Sequence, residues 1–193
     1  QFKQAGFAGI MLEDQVSPKR CGHTGVKEVV ARDVAIERIS AAVEARRQGA
    51  DLVIVARTDA RSAFAQSYGE RGALDEALWR LKAFAELGAD VLFLEAPRSE
   101  EEMLRFCNEV PGKRMANMLE GGVTPLLLPD HLGAMGFHLV AYPLTLLASA
   151  AFAMRQAVTD LQSGKTPERM LSFSELKALV NFDAYDDAVS KRI

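Results

Sequence analysis

Cys21 stands in the segment Lys19-Arg20-Cys21-Gly22-His23, where Lys, Arg and His side chains surround one thiol. A free thiol ionises near about pH 8.5, and neighbouring cations pull that value toward neutrality, so such a cysteine can give and take a proton at working pH. Glu13, Arg57, Glu95 and Asn117 also carry chemistry, each at the end of a short apolar run. Arg57 suits a ligand carboxylate, because a planar guanidinium donates two parallel hydrogen bonds. Segment 16–31, with Gly22 and Gly25 as pivots, reads as a lid that closes over a small ligand and excludes water. Cys107 is the contrast: between Phe106 and Asn108 in a helical stretch, it reads as a small core hydrophobe.

These residues need elements to carry them. Apolar runs at 7–12, 52–56, 91–94, 114–118 and 138–142 are each followed by a loop and an amphipathic stretch. The first helix is predicted over 33–48, with Asp33 as N-cap, a stripe of Val34, Ile36, Ile39, Ala42 and Val43, and Gly49 as its stop. A polar loop follows Asp59, and then a helix over 73–87 stopped by Gly88. Ser99 opens a helix that ends before Pro111-Gly112, and further helices are predicted over 129–135, 144–163, 174–180 and 184–191. Continuously apolar runs fit parallel strands covered on both faces, and their alternation with helices means βα units. An open doubly wound sheet or a closed (β/α)8 barrel could hold five such units. The polar strand ends favour the barrel, whose strand ends converge on one mouth.

Bulk properties narrow the field. The chain has 193 residues, 49% hydrophobic and 25% charged, enough to bury a sizeable core. A net charge of −3 gives no reason to expect a nucleic-acid partner, which would favour a strongly basic face. Two cysteines without a CxxC pair argue against a disulfide framework or structural zinc, and fit the cytoplasm or a reducing organelle lumen. The apolar stretch 144–154 is short and carries Thr145 and Ser149, so it reads as a buried helix with no membrane role. Gln1-Phe2-Lys3-Gln4 lacks the apolar core of a signal peptide, and a chain opening in this way without Met reads as part of a longer one.

The segment Glu13-Asp14-Gln15-Val16-Ser17-Pro18-Lys19-Arg20-Cys21-Gly22-His23 resembles the isocitrate lyase / phosphoenolpyruvate mutase superfamily, in its lyase branch. Val55-Ala56-Arg57-Thr58-Asp59-Ala60, Phe93-Leu94-Glu95-Ala96-Pro97, Ala116-Asn117-Met118 and Gly122-Val123-Thr124-Pro125-Leu126 continue the likeness in order. The resemblance implies a (β/α)8 TIM barrel, of which 1–163 is the C-terminal part with strands four to eight, and 164–193 a helical extension. It also implies a homotetramer in which the helix over 144–163 swaps onto a neighbouring subunit.

The implied activity is Mg²⁺-dependent cleavage of a carbon–carbon bond in a methylisocitrate- or 2-alkylmalate-type substrate, with Mn²⁺ able to replace Mg²⁺. Cys21 is then the acid/base thiol, and Glu13 a metal-site carboxylate acting through water. Gly22, His23, Arg57, Glu95, Asn117 and Thr124 are the implied substrate-binding residues. Asp59 either holds Arg57 or positions the lid. His131 and His138 read as structural, Glu120 has no assignment, and Gly121-Gly122 reads as a turn. The family's Asp-Ala-Asp-type metal motif does not occur in this sequence. Two alternatives stay open: phosphonate or carboxyphosphonate mutase, or oxaloacetate hydrolase, chemistry on the same scaffold; and an inactive piece lacking the metal-bearing strands.

Overall fold

The computed structural model describes residues 1–18 and 27–191. Its contacts divide the chain into two units, Gln1–Thr145 and Leu146–Ile193. The first holds five parallel strands: β1 (Gly9–Glu13), β2 (Val53–Thr58), β3 (Val91–Leu94), β4 (Lys113–Asn117) and β5 (Leu139–Ala141). They lie side by side in sequence order, β1-β2-β3-β4-β5. A doubly wound sheet reverses its strand order at a switch point, whereas a barrel adds each strand beside the last. The order without reversal is that of five successive units of a (β/α)8 barrel.

Helices α1 (Arg32–Arg47), α2 (Ala60–Ala63), α3 (Ala65–Leu87), α4 (Glu100–Glu109) and α5 (Pro129–Met135) fill the connections. The core lies between the strands and these helices, joining Ile54, Ala56, Leu92 and Leu94 to Ile39, Leu78, Phe84, Phe106 and Leu132. Alternation on β2 is clear: Ile54, Ala56 and Thr58 are buried under the helices, and Val53, Val55 and Arg57 point to the other face. Central β3 is buried along its whole length, as its unbroken Val-Leu-Phe-Leu run requires.

Three sequence expectations need correction. Helix α1 starts at Arg32 after Ala31, so Asp33 lies inside the first turn; its carboxylate accepts from the Val34 N–H rather than capping. The buried stripe is Ala35, Ile39 and Val43, and Val34 is exposed, because a four-residue spacing keeps a single helix face inward. The polar loop after Asp59 is helical: α2 and the first turns of α3 occupy it, and Gly69 at φ 69° and ψ 171° kinks α3. Ser99 does cap α4, accepting from the Glu102 N–H at 3.2 Å, and Gly88 ends α3 at φ 102°.

The second unit carries α6 (Thr145–Gln162, whose first residue belongs to the first unit), α7 (Phe173–Leu179) and α8 (Phe182–Ser190). Ser172 and Glu175 form a reciprocal capping box at the start of α7. Lys177 lies over the Phe182 ring at 5.1 Å, tying α7 to α8. The stretch 144–154, expected to be a buried helix, is helical but not buried: along α6, Leu146, Leu147, Phe152, Met154, Val158 and Leu161 are exposed, because no residue of α6 is fully covered by the described part of this chain. No helix among the described residues is long and apolar enough to cross a membrane.

Candidate active site

Parallel pairing brings the strand ends to one rim. Glu13 of β1 pairs with Arg57 of β2, and Arg57 pairs with Phe93 of β3. Glu95 and Asn117 lie two residues beyond the paired Phe93 and Met115. Arg57 therefore stands between Glu13 and Glu95, with its guanidinium 5.2 Å from the centre of the Phe93 ring. Asp59 holds it from below: Nε donates to Oδ2 and Nη2 to Oδ1, both at 2.9 Å. Glu13 Oε2 is 3.4 Å from Nε, and Glu95 Oε1 is 3.5 Å from Nη2. Both bonds to Asp59 use Nε and Nη2. Among the described residues, Nη1 is thus the guanidinium nitrogen left for an incoming carboxylate.

A second cation completes the group. Lys27 Nζ donates to Asp59 Oδ1 at 2.6 Å and lies 3.7 Å from Glu95 Oε1. Burial alone would raise the Asp59 carboxyl above the ordinary carboxylate range; Arg57, then Lys27, more than offset this and hold it below that range. Glu95 contributes one engaged oxygen, and its other oxygen, Oε2, is buried with no hydrogen-bond partner among the described residues. A buried unpaired carboxylate oxygen marks where a donor from a ligand or water belongs. Ala96, directly after Glu95, has φ 57°, a left-handed conformation that costs a residue with a Cβ about 1–2 kcal/mol. That strain sits where the chain must turn Glu95 toward the rim before Pro97.

The layer beneath fixes these groups. Asp14 is fully buried; its Oδ2 accepts from Thr58 Oγ1 at 2.6 Å and its Oδ1 from the Asp59 N–H at 2.9 Å. Arg80 of α3 donates through Nη1 to Asp14 Oδ2 at 3.1 Å and to the Val30 carbonyl at 2.9 Å, and through Nε to Glu76 at 2.8 Å. Burial pushes the Asp14 carboxyl above its ordinary range, against the hydrogen bonds from Thr58 and Asp59 and the charge of Arg80. Segment 16–28 is pinned at its root: Gln15 and Val29 form an antiparallel bridge, the Val16 N–H donates to the Glu28 carbonyl, and the Val30 N–H donates to Asp14. Arg38 braces the same root from α1 through the Gln15 carbonyl at 2.8 Å.

Of the sequence-predicted site residues, the structure gathers Glu13, Arg57, Asp59 and Glu95. Asn117 ends the neighbouring β4, and Thr124 is buried in the loop beyond it; no hydrogen bond or ion pair joins either to the cluster among the described residues. Cys21, Gly22 and His23, with Lys19 and Arg20, lie outside the described residues. Cys107 is a buried thiol whose ionisation is pushed up by burial, as a core role requires. His131 pairs with Glu100 at 3.2 Å, and His138 Nδ1 accepts from the Arg114 N–H at 3.4 Å. Among the described residues no three His, Cys, Asp or Glu are grouped to hold a metal ion. Glu13 therefore fits a metal as an outer carboxylate acting through water, not as part of a complete inner shell formed by these residues.

Sequence reasoning missed Lys27, Asp14 and Arg80. Arg80 had one signal: with Glu76 it puts an i, i+4 charged pair on the face of α3 that also carries Ala73, Ala77 and Leu81.

Comparison with known proteins follows the same lines. A sequence profile of the family described as phosphoenolpyruvate phosphomutase matches residues 1–162. The chain is 41% identical to 2,3-dimethylmalate lyase of Eubacterium barkeri over 187 residues, covering 95% of this chain and 62% of that protein. It is 42% identical to probable 2-methylisocitrate lyase 1 of Corynebacterium glutamicum over 191 residues, covering 96% of this chain and 60% of that one. A solved structure of oxaloacetate acetylhydrolase with the inhibitor 3,3-difluorooxalacetate superposes with a TM-score of 0.77 at 34% identity, over 98% of this chain and 63% of that one. The chain thus spans about three-fifths of the length of these relatives.

Proposed function

Because the chain belongs to the phosphoenolpyruvate phosphomutase family, we propose that it carries the substrate-binding half of a Mg²⁺-dependent carbon–carbon lyase acting on a 2-hydroxy di- or tricarboxylate. Methylisocitrate and 2-alkylmalates are the substrate types we favour. The observation behind this reading is the rim cluster: Arg57 fixed by Asp59 between Glu13 and Glu95, with Lys27 beside it. Such a group orients an anionic substrate through Arg57 Nη1 while Glu95 Oε2 accepts a donor from it.

In the proposed reaction the substrate hydroxyl loses its proton and the carbon–carbon bond breaks. A 2-oxo acid leaves on one side. The electron pair stays on the other fragment, an enolate-like carboxylate dianion, and the Cys21 thiol donates a proton to its carbon. Gly22 and His23 flank that thiol, and Asn117 and Thr124 bind the carboxylates of the dianion half. Glu13 would hold Mg²⁺, or Mn²⁺, through water, and the metal when bound would supply positive charge that stabilises the developing 2-oxo acid. A free thiol in this role needs a reducing compartment, the cytoplasm or an organelle lumen of that kind. The exposed apolar residues of α6 support subunit pairing through that helix, in a homotetramer.

The test is release of 2-oxo acid by the full-length protein with Mg²⁺ from 2-methylisocitrate, 2,3-dimethylmalate, oxaloacetate and phosphonopyruvate. Cys21→Ser is expected to lower turnover of the hydroxy acids by about two to four orders of magnitude, the usual worth of a positioned acid. Near-normal turnover in that variant removes the thiol from the mechanism. The likeness to oxaloacetate acetylhydrolase supports a second reading, hydrolytic cleavage of oxaloacetate. Turnover of oxaloacetate alone would select it.

A further inference from the structure

We propose that Lys27 is a positioning residue of this same site: wedged between Asp59 and Glu95, its ammonium keeps the carboxylates from monopolising Arg57, so the guanidinium stays available to an anionic ligand. The inference rests on the cluster being a carboxylate-binding site.

Geometry carries it. Three carboxylates approach Arg57, those of Asp59 at 2.9 Å, Glu13 at 3.4 Å and Glu95 at 3.5 Å. Against Arg57 alone the three carboxylates leave a net charge of −2 around an entering anion, and a second cation halves that excess. Lys27 is that cation. It shares Asp59 Oδ1 with Arg57 Nη2, and it shares Glu95 Oε1 with the same nitrogen. Its side chain is 9% exposed, so the pair with Asp59 is not a solvent-screened surface contact. Its backbone is also fixed. The next residue, Glu28, is bonded through its carbonyl to the Val16 N–H, and Val29 bridges Gln15. A lysine anchored this close to the strand ends loses side-chain freedom that a surface lysine keeps, and that lost entropy is a cost. A charge-balancing task accounts for that cost.

The experiment is calorimetric titration of oxalate, a small dicarboxylate, into the Mg²⁺-loaded full-length protein. Lys27→Met, Lys27→Gln and Lys27→Arg are compared with wild type, each with a thermal melt. Loss of the ammonium is expected to weaken oxalate by about tenfold or more, since a unit charge a few ångströms from a bound anion acts through little water. Lys27→Arg keeps the charge and should stay within about threefold of wild type. In turnover, KM should rise more than kcat falls.

Lys27→Met binding oxalate like wild type would overturn the proposal. So would Met and Arg variants equally weakened, which would mean that the stem, not the charge, matters. If Lys27→Met does not fold, Lys27→Gln against Lys27→Arg decides by the same two criteria. Wild type that binds oxalate yet cleaves none of the hydroxy acids sinks the proposed reaction and leaves the Lys27 role standing. Wild type that binds no oxalate overturns the role.

Discussion

Replacing Arg80 by Met tests whether the site is held from beneath. The substitution keeps an unbranched chain on α3 and removes the guanidinium. It leaves Asp14 buried with Thr58 and Asp59 as hydrogen-bond partners but without a cation, and it strips the Val30 carbonyl of the bond from Nη1. The Arg80 and Asp14 side chains are 2% and 1% exposed, so neither is rescued by water. Breaking a buried pair in this way costs about 3–5 kcal/mol. For a domain of this size, that lowers Tm by roughly 6–20 °C.

The deficit also has a pH signature. Burial already raises the Asp14 carboxyl, and losing Arg80 raises it further. Between the unfolded carboxylate value and that raised value, the folded state holds a proton that the unfolded state does not. Stability of the variant therefore gains, relative to wild type, as pH falls. Glu76 acts in the same direction. Its carboxyl is held low despite burial, by Arg32 and then Arg80, and the variant has less of that stabilisation to lose in acid. Urea unfolding of both proteins at about pH 8 and about pH 5 should show the gap narrowing at the lower pH. A loss under about 1 kcal/mol, or a gap constant across that range, would refute the claim that Arg80 compensates a buried Asp14 charge.

Two further outcomes follow from the geometry. Arg57→Lys removes the two-pronged bond to Asp59 and the Nη1 donor together, so KM for the hydroxy acid should rise by about tenfold or more while the fold survives; steady-state kinetics beside a melt checks both. Ser99→Ala removes the cap from α4 and should cost about 1 kcal/mol in urea unfolding, with no change in oxalate affinity.

The βα repeat was legible because its signals are local. Apolar runs with polar ends marked β1 to β5, and Gly88, Ser99 and Pro129 marked helix limits within a residue of their places. Pairing in sequence order then followed from the barrel reading and is what brought Glu13 beside Arg57 and Arg57 beside Phe93. Where local signals misled, tertiary packing had the last word. Asp33 is a good capping type, yet α1 begins one residue earlier, and Val34 yields the buried face to Ala35. The polar stretch after Asp59 looked like a loop because Arg61 and Glu70 are charged. In the fold Arg61 is buried, paired with Glu102 and Glu70, and the stretch winds into helix.

The residues that escaped share a physical reason. Apart from the Arg80–Glu76 pair within α3, the side chains of Asp14, Lys27 and Arg80 act through partners 32 to 66 positions away, on other elements, which no spacing rule joins. Asp14 follows Glu13 directly, and successive strand-end side chains point to opposite faces. Glu13 faces Arg57 at the rim, and Asp14 turns under it to hold Thr58 and the Asp59 N–H. One dipeptide thus supplies both a candidate ligand-facing carboxylate and the support for the aspartate that grips Arg57. Arg80 then links that support to the Val30 carbonyl at the root of segment 16–28, where the backbone bridge starts. A shift in Arg80 would move the root and the Arg57 clamp together. Positioning in this site is therefore shared between a helix and three strand ends, and an alteration at Arg80, which does not contact the Arg57 guanidinium, should be felt in ligand affinity as well as in stability.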